Sequence, residues 1–221
     1  MSSRRDLQWT LQEAQGFRKP KIKLEQYATT AELAASILIT MDETYDDIEG
    51  KVIADFGCGC GILSIGADLL GADHVIGLDV DTDALEIAQE NQEHFESSVD
   101  FMLLDVTKAL PRRGTVDIVV MNPPFGTKTK VGIDALFVQR ALSIAPVVYS
   151  LHKTSTRKYF MKNAAAWGAE VDCVAEMRFA LPKTYKFHKQ KSVDIQVDLL
   201  RFESTSHGDE EAESEEETGD E

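Results

Sequence analysis

Residues 51–70, KVIADFGCGCGILSIGADLL, decide the fold class. KVIADF is an apolar run of strand length, Gly57, Gly59 and Gly61 permit a sharp turn and a close backbone approach, and ILSIGADLL has helical spacing. The same alternation continues outward. HVIGLDV precedes DALEIAQENQEHF; VDFMLL leads through a loop to VDIVVM; then come a helix around 132–145, the strand VVYSL and a helix from about Ser155 to Trp167. Strand-helix units in this number predict a parallel sheet with helices on both faces. The last two runs, VDCVAEMRFA and SVDIQVDLLRF, differ. Val193, Ile195, Val197 and Leu199 alternate with polar residues after a hairpin-like turn, so this pair is expected to be antiparallel. The expected architecture is α/β: a seven-stranded, mostly parallel, Rossmann-like sheet with an antiparallel last strand. Upstream, residues 4–16 read as a short helix and Ala31–Met41 as a second, capped from Thr29-Thr30. This divides the chain into an N-terminal helical segment (1–50) packing on a catalytic body (51–203), and a tail (204–221).

A chain of 221 residues suits one such domain. No apolar run has the length of a membrane span, and the N-terminus MSSRRDLQWT lacks a secretory core, so an intracellular protein is expected. Cys58, Cys60 and Cys173 leave one thiol unpaired under any disulfide scheme, and Cys58-Gly-Cys60 is too tight for a zinc knuckle; no metal site is expected. The net charge of -15 argues against a nucleic-acid partner until its distribution is considered. Nine of the 38 acids crowd into Asp209–Glu221, a block with no large apolar residue and an expected disordered tail. The body keeps all 23 lysines and arginines, and they cluster. Lys128 with Lys130, His152 with Lys153 and Arg157, and the run Lys183, Lys186, His188, Lys189 and Lys191 are candidate phosphate contacts, against the default of solvated surface charge.

The glycine spacing discriminates between cofactors. A dinucleotide fingerprint requires its third glycine at position 62, which is isoleucine here. Asp55, at the end of the first strand, would repel a diphosphate and suits a cationic ligand; S-adenosylmethionine carries an ammonium and a sulfonium. Asp79, ending the second strand, can accept both ribose hydroxyls, and Asp105, after the third, can accept from an adenine amino group. Asp81 fits better as a helix cap. A tight turn alone would explain the glycines. It explains none of the acids.

At the end of the fourth strand stands Asn122-Pro123-Pro124-Phe125. The Asn122 side-chain oxygen and the Pro123 carbonyl can each accept from an exocyclic amine, and Phe125 can stack on the ring that bears it. Proline restrains its own φ and the preceding residue, so this loop is set before a substrate arrives. The plainer reading is a proline-rich turn with Phe125 in the core.

A loop of the form Asp-x-Gly-x-Gly-x-Gly with an Asn-Pro-Pro-aromatic loop resembles the amino-methylating class I S-adenosylmethionine-dependent methyltransferases. More closely, KPKIKLEQYAT, YDDIEGKVIADFGCGCGILSIG, GLDVDTDALEI, VMNPPFGTK, VYSLHKTSTR and YKFHKQKSVDIQVDLLRF resemble the methyltransferase-like protein 5 family, N6-adenosine methyltransferases of small-subunit (18S) ribosomal RNA. The likeness runs from about Gly16 to Phe202; the acidic tail lies outside it. It implies that Gln26, Thr29, Gly57, Cys60, Ile62, Asp79, Asp105 and Val106 line the cofactor pocket and that Asn122 to Phe125 hold the target adenine. It also implies a small zinc-binding activator subunit, docked by strand addition on the free edge of Val99–Leu104, where Phe101 and Leu103 invite pairing; the plainer reading makes both side chains ordinary core, covered by a helix. The expected location is nucleus, nucleolus and cytoplasm. Two other functions fit parts of the pattern: glutamine N5-methylation of a translation factor, whose side-chain amide suits the same acceptors, and a non-catalytic cofactor-binding module.

Overall fold

A computed structural model describes residues 4–126, 131–182 and 192–205, with side chains through 179 and again from 195 in the final pair of strands. Among these residues seven strands form one sheet in the order β3-β2-β1-β4-β5-β7-β6. They are β1 (Val52–Phe56), β2 (His74–Asp79), β3 (Asp100–Leu103), β4 (Ile118–Met121), β5 (Val147–Lys153), β6 (Ala169–Pro182) and β7 (Ser192–Ser204). β1 to β5 run parallel, whereas β7 is antiparallel to both β5 and β6. The expected α/β class and topology are therefore observed.

Period-two alternation builds two cores. Ile53, Ile118, Val120, Tyr149 and Leu199 face one helical layer; their chain neighbours Ala54, Val119, Met121, Val148 and Leu200 face the other. The first layer contains α1 (Arg4–Leu11), α2 (Ala31–Tyr45) and α3 (Ile62–Leu69), represented by Leu7, Leu38 and Ile65. The second contains α5 (Ile133–Leu142) and α6 (Arg157–Asn163), represented by Val138 and Phe160. Between β2 and β3 runs α4 (Thr82–His94), capped by the Asp81 carboxylate, which accepts from the Asp83 amide at 3.1 Å. Thr30 caps α2 by accepting from the Leu33 amide at 3.2 Å.

Several details differ from expectation, and α2 runs on past the expected Met41 to Tyr45. α1 stops at Leu11 rather than residue 16, and a tertiary contact replaces its last turn: the Gln15 amide donates to Asn91 Oδ1 at 2.8 Å, and Asn91 Nδ2 donates back to the Gln15 carbonyl at 3.0 Å. The helix expected over Ser155–Trp167 is α only from Arg157 to Asn163, with 3₁₀ turns on either side; Asn163 Nδ2 donates to the Tyr159 carbonyl and left-handed Gly168 ends the run. At the edge strand, Phe101 turns inward, where a Cβ on Gly77 would come within 2.5 Å of its ring. Met102 and Leu103, 51% and 56% exposed, are the apolar side chains on the free edge. The clusters Lys128 with Lys130 and Lys183 to Lys191, and the acidic block from residue 206, lie outside the described residues.

Candidate active site

The loops at the carboxyl ends of β1, β2, β3 and β4 surround a cavity of about 580 Å³, well within the range of a cofactor site. Gln26, Thr29, Asp55, Gly57, Gly59, Cys60, Ile62, Asp79, Asp105 and Val106 line it, and so do Asn122 and Pro124. Gly61 does not. Its part is structural: it starts α3 at φ 83°, and a Cβ there would meet the Phe101 ring at 2.6 Å.

Local hydrogen bonds shape the glycine turn. The Gly57 and Cys58 amides donate to the Leu78 carbonyl at 2.8 and 3.1 Å, which ties the end of β1 to β2. The Gly59 amide donates to Asp79 Oδ2 at 2.9 Å, and the Asp81 amide to Asp79 Oδ1 at 2.9 Å. Burial nevertheless raises the Asp79 carboxyl, with those amides opposing the shift. Asp55 is 1% exposed. Ser64 donates to its Oδ2 at 2.6 Å, Oδ1 has no partner, and burial pushes its pKa up to about 7 despite the serine. A buried carboxylate oxygen without a partner beside a backbone cradle fits a cationic ligand. Asp105 is the contrast: Lys108, at 2.7 Å, and Thr107, at 2.6 Å, hold its carboxyl below the usual range.

Residues between α1 and α2 form a strap over this end. Lys21 pairs with Asp81 and, at 2.9 Å, with Asp83; Arg18 pairs with Glu90. Gln26 Nε2 donates to Asp81 Oδ2 at 2.6 Å, and its Oε1 accepts from the Lys21 amide at 2.7 Å. Asp81 thus fastens the strap as well as capping α4. The strap brings Phe17 against the glycine turn, where a Cβ on Gly59 would sit 2.9 Å from the ring. Phe17, Tyr27, Ile133 and Phe137 are apolar lining residues that sequence reasoning missed. Only the topology gathers them; no local pattern marks Phe17 or Tyr27.

From the fourth-strand loop Asn122 and Pro124 close the far end, whereas Pro123 and Phe125 are not among the cavity residues. Asn122 Nδ2 donates to Thr29 Oγ1 at 3.0 Å. Pro123 is buried, and the half-buried Phe125 packs on the first core with Lys153 Nζ 5.4 Å from its ring centroid.

Two of the candidate phosphate contacts are placed otherwise. His152 is fully buried, stacks on Phe160 with centroids 3.7 Å apart, and burial lowers its pKa to about 3, so it is a neutral core ring. Its place in β5, covered on both faces, accounts for this. Arg157 donates to Asp198 at 2.7 and 2.6 Å and pairs with Glu176 at 2.8 Å, which commits its charge inside the protein. Lys153 remains at the surface beside Phe125.

Known proteins resemble this chain in sequence and fold. The chain is 50% identical to rRNA N6-adenosine-methyltransferase METTL5 of Danio rerio, over 91% of this chain and 99% of the relative. It is also 50% identical to metl-5 of Caenorhabditis elegans, which bears the same description, over 88% and 94%. The chain belongs to the METTL5 family of rRNA N6-adenosine methyltransferases. Residues 28–123 match the family model of ribosomal protein L11 methyltransferase (PrmA), a segment that holds the glycine turn and stops inside the Asn-Pro-Pro loop. The fold superimposes on the crystal structure of PH1948 from Pyrococcus horikoshii with a TM-score of 0.82 and 36% identity, over 93% of this chain and 98% of that one. Membership of the METTL5 family makes the chain an enzyme.

Proposed function

We propose that this chain uses S-adenosylmethionine to methylate the N6 nitrogen of an adenosine in small-subunit (18S) ribosomal RNA. One observation carries the reading: Asp79 and Asn122, the donor end and the acceptor end, line a single cavity. The donor supplies an activated methyl group on sulfur. Asp79 would accept from its ribose hydroxyls, Asp105 from its adenine amino group, and the free oxygen of Asp55 would face its positive charge. At the other end the Asn122 side-chain oxygen and the Pro123 carbonyl accept the two N–H bonds of the target. The adenine nitrogen is a poor nucleophile because its lone pair is delocalised into the ring, and holding both hydrogens favours a pyramidal nitrogen aimed at the methyl. Orientation and electrostatics supply the rate gain, and no strong base is required because the proton can leave after transfer. A duplex adenine must leave its stack to reach this cavity.

The partner we propose is a small zinc-binding activator that adds a strand to β3, covering Met102 and Leu103. Lys153 beside Phe125, with Lys128, Lys130 and the Lys183–Lys191 run, would supply the phosphate contacts, in the nucleolus and cytoplasm where small subunits are made. Asn122→Ala is expected to lower methylation at least a hundredfold while donor affinity stays within about threefold. Mass spectrometry of ribosomal RNA nucleosides from cells lacking the protein, re-expressing either form, checks this; near-normal N6-methyladenosine with the variant refutes the assignment. Methyl incorporation that survives ribonuclease would point to a protein acceptor instead.

A further inference from the structure

The Asn122 amide has two chemically opposite ends: Oδ1 accepts and Nδ2 donates. An amino group offers hydrogens, so only the oxygen can productively face it. A threonine hydroxyl can hold either end, so it anchors the amide while the amino group selects the oxygen. Here Nδ2 donates to Thr29 Oγ1 at 3.0 Å, and the two residues stand 93 apart in sequence. Both line the cavity. Thr29 is itself well anchored, because the adjacent Thr30 caps α2 through the Leu33 amide at 3.2 Å.

We propose that Thr29 is a positioning residue whose hydroxyl anchors the Asn122 amide in place, making the acceptor end of the site depend on the segment that covers the donor end. This deepens the reading of Asn122 given above and rests on it. With a base in place, the arrangement that satisfies every group has Oδ1 on the amino hydrogens and Nδ2 on Thr29. The flipped amide would set NH₂ against an amino group, donor against donor. Without the threonine hydroxyl the amide loses its anchor, and rotamers that carry Asn122 away from the base gain population. Turnover then falls with the productive fraction while the donor still binds.

Thr29→Val keeps size and branching and removes the acceptor; Thr29→Ser keeps the hydroxyl. The full chain is used, in complex with its activator if the free chain is inactive, with donor and RNA saturating. Thr29→Val is expected to lower kcat about tenfold or more, with donor Kd changed by less than about threefold. Thr29→Ser should stay within about threefold of wild type in both. Two results overturn the proposal: equal losses for Val and Ser, or a loss confined to donor Kd. Near-normal turnover by Asn122→Ala would remove the underlying reading of Asn122. An inactive Asn122→Ala beside a fully active Thr29→Val would remove only the role of Thr29.

Discussion

Asp55 in β1 and Asp198 in β7 are equally hidden, at 1% and 0% exposure, yet they are opposite kinds of buried acid. Asp198 accepts from Arg157 twice, at 2.7 and 2.6 Å, and from Thr154 at 2.7 Å. Burial pushes its pKa up, but the guanidinium and the hydroxyl more than offset this and leave it below the usual range. Asp55 has one serine, a bare oxygen and, among the described residues, no cation. A buried acid that carries its own cation is finished structure, whereas one that lacks it has paid desolvation that a cationic ligand can recover. The antiparallel side of the sheet is thus a clamp, and the parallel side is a receptor.

Substitutions on the two sides should therefore fail in different assays. Asp79→Ala, on the receptor side, is expected to weaken donor binding on the order of a hundredfold by calorimetry, with a melting temperature lowered by a few degrees at most as the Gly59 and Asp81 amides lose their acceptor. Asp198→Ala should do the reverse, lowering the melting temperature on the order of 10 °C and leaving donor affinity within about twofold, since Asp198 is not among the cavity residues. A large affinity loss from Asp198→Ala would break the contrast.

A smaller effect concerns pH. The folded Asp55 pKa of about 7 lies above its ordinary 3.8. Between those values the folded state holds a proton that the unfolded chain has lost, so the contribution is full below 3.8 and is lost as pH rises through 7. His152 has the opposite sign: depressed from 6.5 to about 3, it withdraws stability as pH falls through that interval. Asp55→Asn should gain melting temperature over wild type by a few degrees at most, with the gain growing between about pH 5 and 8. A gain that shrinks across that range would contradict the assignment.

The receptor side was legible because its signals are local. The strand, Asp55 and the glycines at 57, 59 and 61 sit within a few residues of one another, Asp79 and Asp105 each end a strand of their own, and the Asn-Pro-Pro-Phe loop is one short run. The clamp side was not, because it depends on partners far apart in the chain. Arg157 and His152 read as free bases; one proves to grip a carboxylate 41 residues away and the other to be stacked in the core. Phe101 read as an edge residue because strand alternation alone cannot tell which face two glycines, Gly61 and Gly77, leave open. Of the strap, only Gln26 and Thr29 were legible, through the family resemblance; its path was not, since Gln15 meets Asn91 across 76 residues.

The account stands most directly on the charge state of Asp55 when the donor arrives. Calorimetry of S-adenosylmethionine binding near pH 7, repeated in buffers of different ionisation enthalpy, reads the protons exchanged. A cation beside the free oxygen should drive the partly protonated acid to its ionised form, releasing a fraction of a proton per site, and Asp55→Asn should abolish that release. Donor binding of ordinary affinity with no proton released, or the same release from Asp55→Asn, would contradict it.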